Sequence, residues 1–360
     1  MLGFNFSLGV FESAGFQYSI SCADDHQLAL TNFQKMRDEG FSKALSETKK
    51  SWQKWLVPAL RFSKKLDLKY QKKFIQSLML VKSHLAKTGA TIASNDSEML
   101  NYARDDYSYC WPRDALFAIW PLIRLGYRDE PQRFFTFCKS SLTPGGFMMH
   151  KYLPNGELGP SWHPYSQGGE TRNLPIQIDE TAGILFLFAQ YYKKFRDNSI
   201  LNEFYDDLVK PIADFLVDFC GENNLPKPNY ELWEMDFLST TYSTSVVFAA
   251  LYSASNLAQQ LNRARDAKKW RDQALKIRTS AQNELFNPEN NYFYRGIWLN
   301  GEKDSKIDAS SFYGAFIFNL FDFKGEKLHK AFNVLEKRFN ADSQIGLPRF
   351  ENDVYYRFSD

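Results

Sequence analysis

From residue 68 to residue 339 the chain alternates helix, short turn, helix and long loop, and that alternation restricts what it can fold into. Residues 68–87 set Leu68, Phe74, Leu78, Leu80 and Leu85 among Lys and Gln, the apolar stripe of an amphipathic helix. The same spacing predicts helices over 115–125, closed by Gly126, and over 129–141, 179–195, 200–220, 240–261, 263–286, 308–321 and 325–339. Long loops follow alternate helices, at 88–114, 144–175, 222–238 and 342–356. In a closed ring of helical hairpins alternate loops lie on one face, so these four are expected around one mouth. The expectation is a mainly α fold, an (α/α) barrel over residues 67–360. An open helical solenoid is the other arrangement, but no fixed-length repeat supports it.

The N-terminal part reads differently. Phe4, Phe6, Leu8 and Val10 alternate with polar or small residues, and Phe16, Tyr18 and Ile20 alternate again after a turn at Gly15. Period-two spacing around a glycine predicts a β-hairpin. A lone hairpin is marginal in water, so residues 1–24 are expected to be the remnant of a β-sandwich. Residues 25–66 are charged and helix-prone, with Leu28, Phe33, Trp52 and Trp55 at mixed three- and four-residue spacings, and are expected to be a helical linker.

Charge excludes some functions. The 44 basic and 42 acidic residues nearly cancel, which argues against a nucleic-acid footprint or a polybasic membrane anchor. No apolar run is long enough to span a bilayer. The N-terminus lacks a basic region and a small-residue cleavage site, so a cytoplasmic location or leaderless export is expected. Cys22, Cys110, Cys138 and Cys220 form no Cys-x-x-Cys pair, no His pair has ligand spacing, and neither a metal nor a cofactor is expected. Aromatic residues make up 16% of the chain, enough for a large core or a ring-lined cleft.

The long loops share one vocabulary of Trp, Tyr, Arg and carboxylate. Tyr107-Ser-Tyr-Cys-Trp-Pro-Arg-Asp114 supplies Tyr107, Trp111, Arg113 and Asp114. The second loop supplies Trp162 and His163, then Gln177, Asp179 and Glu180. The third supplies Glu231, Trp233, Glu234 and Asp236, and the last Arg349, Glu351, Asp353 and Tyr355. Rings that stack on C–H faces beside a fixed charged pair suit a polyhydroxylated ring. Arg113 and Asp114 also fit a structural ion pair at a helix start, and His163 a loop histidine bonded to backbone. Glu234 directly follows Trp233. An aromatic wall raises a carboxyl's pKa and lets it donate a proton, although a helix-start carboxylate is an equal reading.

The blocks 107–114, Ser161-Trp-His-Pro164, Leu174-Pro-Ile-Gln-Ile-Asp-Glu-Thr-Ala182, Glu231-Leu-Trp-Glu234 and Leu347-Pro-Arg-Phe-Glu-Asn-Asp-Val-Tyr-Tyr356 together resemble glycoside hydrolase family 15, the glucoamylase and glucodextranase family. The resemblance implies an (α/α)6 barrel and an inverting hydrolase that releases glucose from the non-reducing ends of α-glucans. It implies Glu234 as general acid. It implies Arg113 and Asp114 as the pair that holds the terminal glucose, with Tyr107 and Trp111 as walls and Trp162 reaching over the substrate. Gln177, Asp179, Trp233, Arg349 and Asp353 complete the expected substrate-binding set. The family usually carries a second carboxylate directly after the acid, where this chain has Met235.

An inverting glycosidase also needs a base carboxylate roughly 6.5–9.5 Å from the acid. In the family that base is a Glu beyond the Tyr355-Tyr356 motif, and the last hairpins of the barrel follow it. Three readings stay open: a truncated chain, a short form in which Glu351 or Asp353 serves, and an inactive member. An incomplete barrel is expected to cover its open seam by self-association or with a further C-terminal segment. Two alternatives accompany the hydrolase reading. One is a glucan-binding protein without turnover; the other is a hydrolase of another α-glucoside, such as dextran or trehalose.

Overall fold

The computed structural model describes residues 7–16, 18–95, 107–163, 166–167, 170–171, 175–339 and 346–353. It divides into two compact units, Met1–Gln76 and Ser77–Asp360, with the sequence boundary inside helix α3. In the first unit the expected linker becomes two helices, α1 (His26–Glu39) and α2 (Phe41–Ser63). Asp25 caps α1 by accepting the Leu28 N–H at 2.8 Å, and Gly40, at φ 77°, separates the two. The expected hairpin has no strand among the described residues. Leu8, Val10, Phe16, Tyr18 and Ile20 are all exposed, and no described sheet covers the apolar face that their alternation creates. Phe4 and Phe6 lie outside the described residues.

The boundary falls within α3 (Leu68–Ser83), and the helices of the second unit are α4 (Pro112–Leu125), α5 (Asp129–Ser141), α6 (Ile178–Phe195), α7 (Asn198–Phe204), α8 (Lys210–Asp218), α9 (Thr241–Gln260), α10 (Ala264–Glu284), α11 (Ala309–Ile317) and α12 (Glu326–Phe339). Burial sorts them into two layers. Every residue of 178–189 in α6 and of 241–251 in α9 is buried, as expected of helices enclosed on all sides. In α10 only one stripe is buried, Trp270, Ala274, Ile277 and Ala281, and in α12 only Leu328, Ala331 and Leu335. The inner helices α4, α6, α9 and α11 pack side by side in chain order, and α5, α8, α10 and α12 pack outside them. These are four consecutive hairpins of an (α/α) barrel.

Local chemistry sets the boundaries. Gly126 closes α4 in the left-handed conformation, its N–H bonded to the carbonyls of Leu122 and Ile123. The single helix expected over 200–220 is instead α7, a π-helical turn at Tyr205–Val209, and α8. Pro211 has no N–H for the α-helical ladder, and the wider turn absorbs the mismatch. The sheet β3 (Asn229–Tyr230), β4 (Phe237–Thr240), β7 (Gly296–Trp298), β8 (Lys303–Asp304) was not anticipated; β1 (Ser166–Gln167) with β2 (Glu170–Thr171), and β5 (Phe286–Asn287) with β6 (Tyr292–Phe293), form separate pairs. Strands of two to four residues are too short to display a period.

The inner helices begin at one end of the unit. Asn229 Oδ1 accepts the Ile178 N–H at 3.1 Å, the Thr241 N–H donates to the Arg295 carbonyl at 2.9 Å, and the Trp233 indole donates to Asp308, the N-cap of α11, at 3.0 Å. The β3–β4 hairpin therefore lies across the starts of α6, α9 and α11. In β7, a Cβ added at Gly296 would meet the Ser239 carbonyl oxygen at 2.5 Å. Gly296→Ala is expected to destabilise the fold by about 2 kcal/mol, read as a lower urea midpoint with an unchanged slope.

Candidate active site

Two backbone hairpins build the site. Cys110 and Tyr152 exchange N–H···O bonds of 2.8 and 3.0 Å, which lays the 107–114 motif against His150 and Lys151. The chain then turns back at 154–156, with the Gly159 N–H bonded to the Lys151 carbonyl at 2.9 Å, and brings Trp162 over Trp111. Across the cleft, the β3–β4 hairpin carries residues 231–236. Glu231 is 1% exposed and organises this loop by accepting the N–H groups of Trp233 (2.7 Å), Met235 (3.0 Å) and Asp236 (3.3 Å). Arg295 fastens the loop from beneath through Asp236 and Glu231, and also meets Asp304 and Asp308. The loop holds Glu234 at φ 63°, a left-handed conformation that a non-glycine residue adopts at a cost of about 1 kcal/mol.

Four donors converge on one oxygen of Glu234. Oε1 lies 3.0 Å from His150 Nε2, 3.1 Å from Trp111 Nε1, 3.2 Å from Gln177 Nε2 and 3.5 Å from Arg113. The Trp162 N–H points at His150 Nδ1 at 3.4 Å, an arrangement in which Nδ1 accepts and Nε2 can donate to Glu234, and the Trp111 indole nitrogen lies 3.1 Å from the same Nε2. Burial pushes the Glu234 carboxyl up, but the His150 hydrogen bond, the Arg113 charge and the Gln177 amide outweigh it and hold it down at about 2. The aromatic neighbour was expected to raise this group. Instead, the donors around Oε1 decide, and the Trp233 indole N–H is committed to Asp308.

Behind Glu234 the Arg113 guanidinium donates to Gln177 and lies 3.5 Å from Asp179 and 3.6 Å from Glu180. Burial works against the guanidinium's charge, but Asp179, Glu180, Asp114 and Glu234 together keep it firmly protonated. Burial pushes Glu180 well above the ordinary carboxylate range, and neither of its oxygens has a hydrogen-bond partner among the described residues. Asp114 stands in the first turn of α4, exposed to the cleft. Desolvation by the cleft walls and the charge of Glu234 raise its pKa against the pull of Arg113.

The cleft encloses about 340 Å³ between Tyr107, Trp111, Trp162, Arg113, Asp114, Glu234, Trp233, Leu232, Met235, Ala93 and Arg349. Tyr107, Trp111 and Trp162 form one wall, with ring centroids 5.3–5.8 Å apart. The ammonium of buried Lys151 sits behind this wall, 3.6 Å from the Trp162 ring centroid, 4.8 Å from Trp111 and 4.5 Å from Tyr109.

Eight of the eleven expected site residues thus line one cleft. Gln177 and Asp179 do not reach its surface: they are 0% and 1% exposed and act through Arg113 and Glu234. Asp353 grips Arg349 with two bonds of 2.6 Å. Glu351, the other carboxylate considered as a base, accepts the Ile307 N–H and pairs with Arg338, and it lines a different cavity. Tyr355 lies outside the described residues. His150, Lys151 and Arg295 escaped the sequence reading because each joins the site through contacts distant in sequence. His150, His163 and Glu234 do bring ligand-type atoms within 4.8 Å of one another, contrary to the spacing argument. In the structure, however, the facing atoms are engaged in hydrogen bonds: His163 Nε2 with the Gln177 amide at 2.8 Å, and His150 Nε2 with Glu234. Burial and the neighbouring His150 push His163 down to about 3, and its ring stacks on Tyr230 at 3.9 Å.

Comparison with known proteins places this geometry. Residues 69–358 match the family model of glycosyl hydrolases family 15. An uncharacterised glycosyl hydrolase of Methanocaldococcus jannaschii is 24% identical over 255 residues, 70% of this chain and 37% of that protein. Trehalase 2 of Sulfolobus acidocaldarius is 23% identical over 278 residues, 71% of this chain and 45% of that protein. The chain thus spans less than half the length of these relatives. A bacterial glucoamylase solved in complex with acarbose shares the fold, with a TM-score of 0.62 at 22% identity, over 78% of this chain and 42% of that one.

Two measurements follow from the electrostatics. His150→Ala removes one donor from Oε1, so carboxyl-detected NMR should show Glu234 titrating about one pH unit higher, whereas His150→Gln should restore most of the difference. Burial and the nearby Asp308 charge push Glu231 up to about 7 from an ordinary 4.5, against its N–H bonds and Arg295. The fold therefore favours the protonated form. This contribution is complete below pH 4.5 and is lost as pH rises through 7, a change on the order of 3 kcal/mol. Glu231→Gln should flatten the fall in urea midpoint between pH 5 and pH 8.

Proposed function

The chain belongs to glycosyl hydrolase family 15, and on that premise we propose that it acts on α-glucosides by releasing glucose from non-reducing ends, as an exo-acting, inverting acid/base hydrolase of glucoamylase type. The observation that carries this reading is the asymmetry of Glu234. Oε1 is surrounded by His150, Trp111, Gln177 and Arg113. None of these four contacts is made to Oε2, and in this reading Oε2, on a residue that lines the cleft, carries the transferable proton.

In this mechanism Asp114, exposed to the cleft, accepts hydroxyls of the terminal sugar, while Arg113 gives the cleft its fixed positive charge. Tyr107, Trp111 and Trp162 stack on the ring's C–H faces. Glu234 is ionised in the empty cleft. A bound sugar expels water and adds to the desolvation that already pushes its pKa up, so the acid form becomes accessible as the glycosidic oxygen arrives. Proton donation to that oxygen and attack of water from the opposite face release glucose with inverted configuration. Glu351 and Asp353 are engaged elsewhere, so the proposal leaves water activation to a carboxylate outside the described residues.

Trehalose is the favoured second substrate. Met235 stands where the family usually has a carboxylate, and relatives named trehalase match over most of this chain. A glucan-binding role without turnover is the reading from a different class. Glucose release from maltose, glycogen and trehalose separates the three. Glu234→Gln is expected to lower kcat by about a hundred- to ten-thousand-fold. Equal rates for Glu234→Gln and the unaltered chain would remove Glu234 from the mechanism, and calorimetric binding of maltotriose without any product would establish the binding role.

A further inference from the structure

We propose that the outer rim of the cleft, formed by Leu232, Trp233 and Met235, is a leaving-group site for an aglycone with an apolar face, and that Met235 sets this preference. The inference rests on the reading of the cleft as a glucoside site.

The direction of proton transfer defines the rim. Arg113, which lines the cleft beside Asp114, is itself one of the four donors to Glu234 Oε1, with His150, Trp111 and Gln177. The transferable proton is therefore on Oε2, and the leaving oxygen must come to it. Atoms beyond that oxygen have to lie against the residues that flank Glu234 on its own loop.

Those residues offer carbon and sulfur rather than hydroxyl acceptors. Met235 is 47% exposed inside the cleft, and Leu232 and Trp233 are partly exposed beside it. The indole N–H of Trp233 is committed to Asp308, so the side chain presents only its ring to the cleft. Glu231, the nearest carboxylate on the loop, is turned inward to the backbone N–H groups of Trp233, Met235 and Asp236. Arg349 is held by Asp353 and lies 3.7 Å from the Met235 sulfur. A second sugar would find few side-chain partners for its hydroxyls here. An alkyl, aryl or other apolar-faced leaving group would bury the unbranched, polarizable thioether and the leucine, with favourable transfer for each methylene it covers.

Binding of non-hydrolysable thioglucosides tests this without turnover. Titration calorimetry with methyl and octyl 1-thio-α-D-glucopyranoside, below micelle-forming concentration, should show the octyl ligand at least tenfold tighter. Met235→Glu should bring the two within about threefold, as should Met235→Gln, which serves as a second variant if the charged one does not fold. Asp114→Asn should weaken both ligands, because the sugar end anchors the chain. Equal affinity for the two ligands in the unaltered chain would overturn the rim site and leave the glucoside reading intact. An octyl preference that survives Met235→Glu and Met235→Gln, or octyl binding that Asp114→Asn leaves unweakened, would place the alkyl chain elsewhere and overturn it equally. Failure to bind either ligand would overturn the glucoside reading and the rim with it.

Discussion

The site depends on one buried guanidinium. Arg113 leaves water at the start of α4 and must find its counter-charges inside the protein, because an unpaired buried charge costs several kcal/mol. It finds them on two other elements: Asp179 and Glu180 on α6, and Glu234 on the β3–β4 loop. Satisfying that single ion therefore requires the starts of α4 and α6 and the loop to meet. The geometry of the cleft floor and the electrostatic closure of the core are therefore one arrangement.

A second arginine repeats the logic one layer down. Arg295, 1% exposed, gathers Glu231, Asp236, Asp304 and Asp308, and so ties the loop to β8 and to the cap of α11. The loop is gripped from both sides: Arg113 draws on its outward carboxylate and Arg295 on its inward ones. Acidic groups outnumber the two guanidinium ions at these sites, and burial answers the surplus by keeping Glu180 and Glu231 close to their protonated forms. Glu234 goes the other way because its donors converge on it. Neighbouring carboxyls are thus pushed apart in pKa, Glu180 and Glu231 upward by burial and Glu234 downward by the donors that converge on it.

What could be read in the sequence follows from range. Helices that bury one stripe or all sides repeat every few residues, and α4, α5, α6, α9, α10 and α12 fall close to where periodicity puts them. The loops that share Trp, Arg and carboxylates do supply the cleft, because side chains of that kind concentrate where a scaffold presents loops. The short strands carry too few residues for a period, and the break at Tyr205–Val209 reflects a backbone hydrogen bond that Pro211 cannot make. His150 stood in the wrong vocabulary: among apolar residues nothing marks it, and only the Cys110–Tyr152 pairing brings it to Glu234. The N-terminal alternation is a local pattern for which the described residues hold no strand partner. Gln177 and Asp179, expected among the substrate-binding residues, lie buried behind the cleft instead of on its surface, since depth is not written in composition.

The left-handed backbone at residue 234 has an evolutionary consequence. On conformational grounds alone glycine is the preferred occupant of that position, and a glutamate codon is one base change from a glycine codon. That substitution would relax the turn while the Arg113 floor and the aromatic wall remained in place. Selection for folding and selection for chemistry therefore pull against each other at a single codon. In this family, a lineage released from the need to cleave a sugar would have a short, downhill route to a silent lectin.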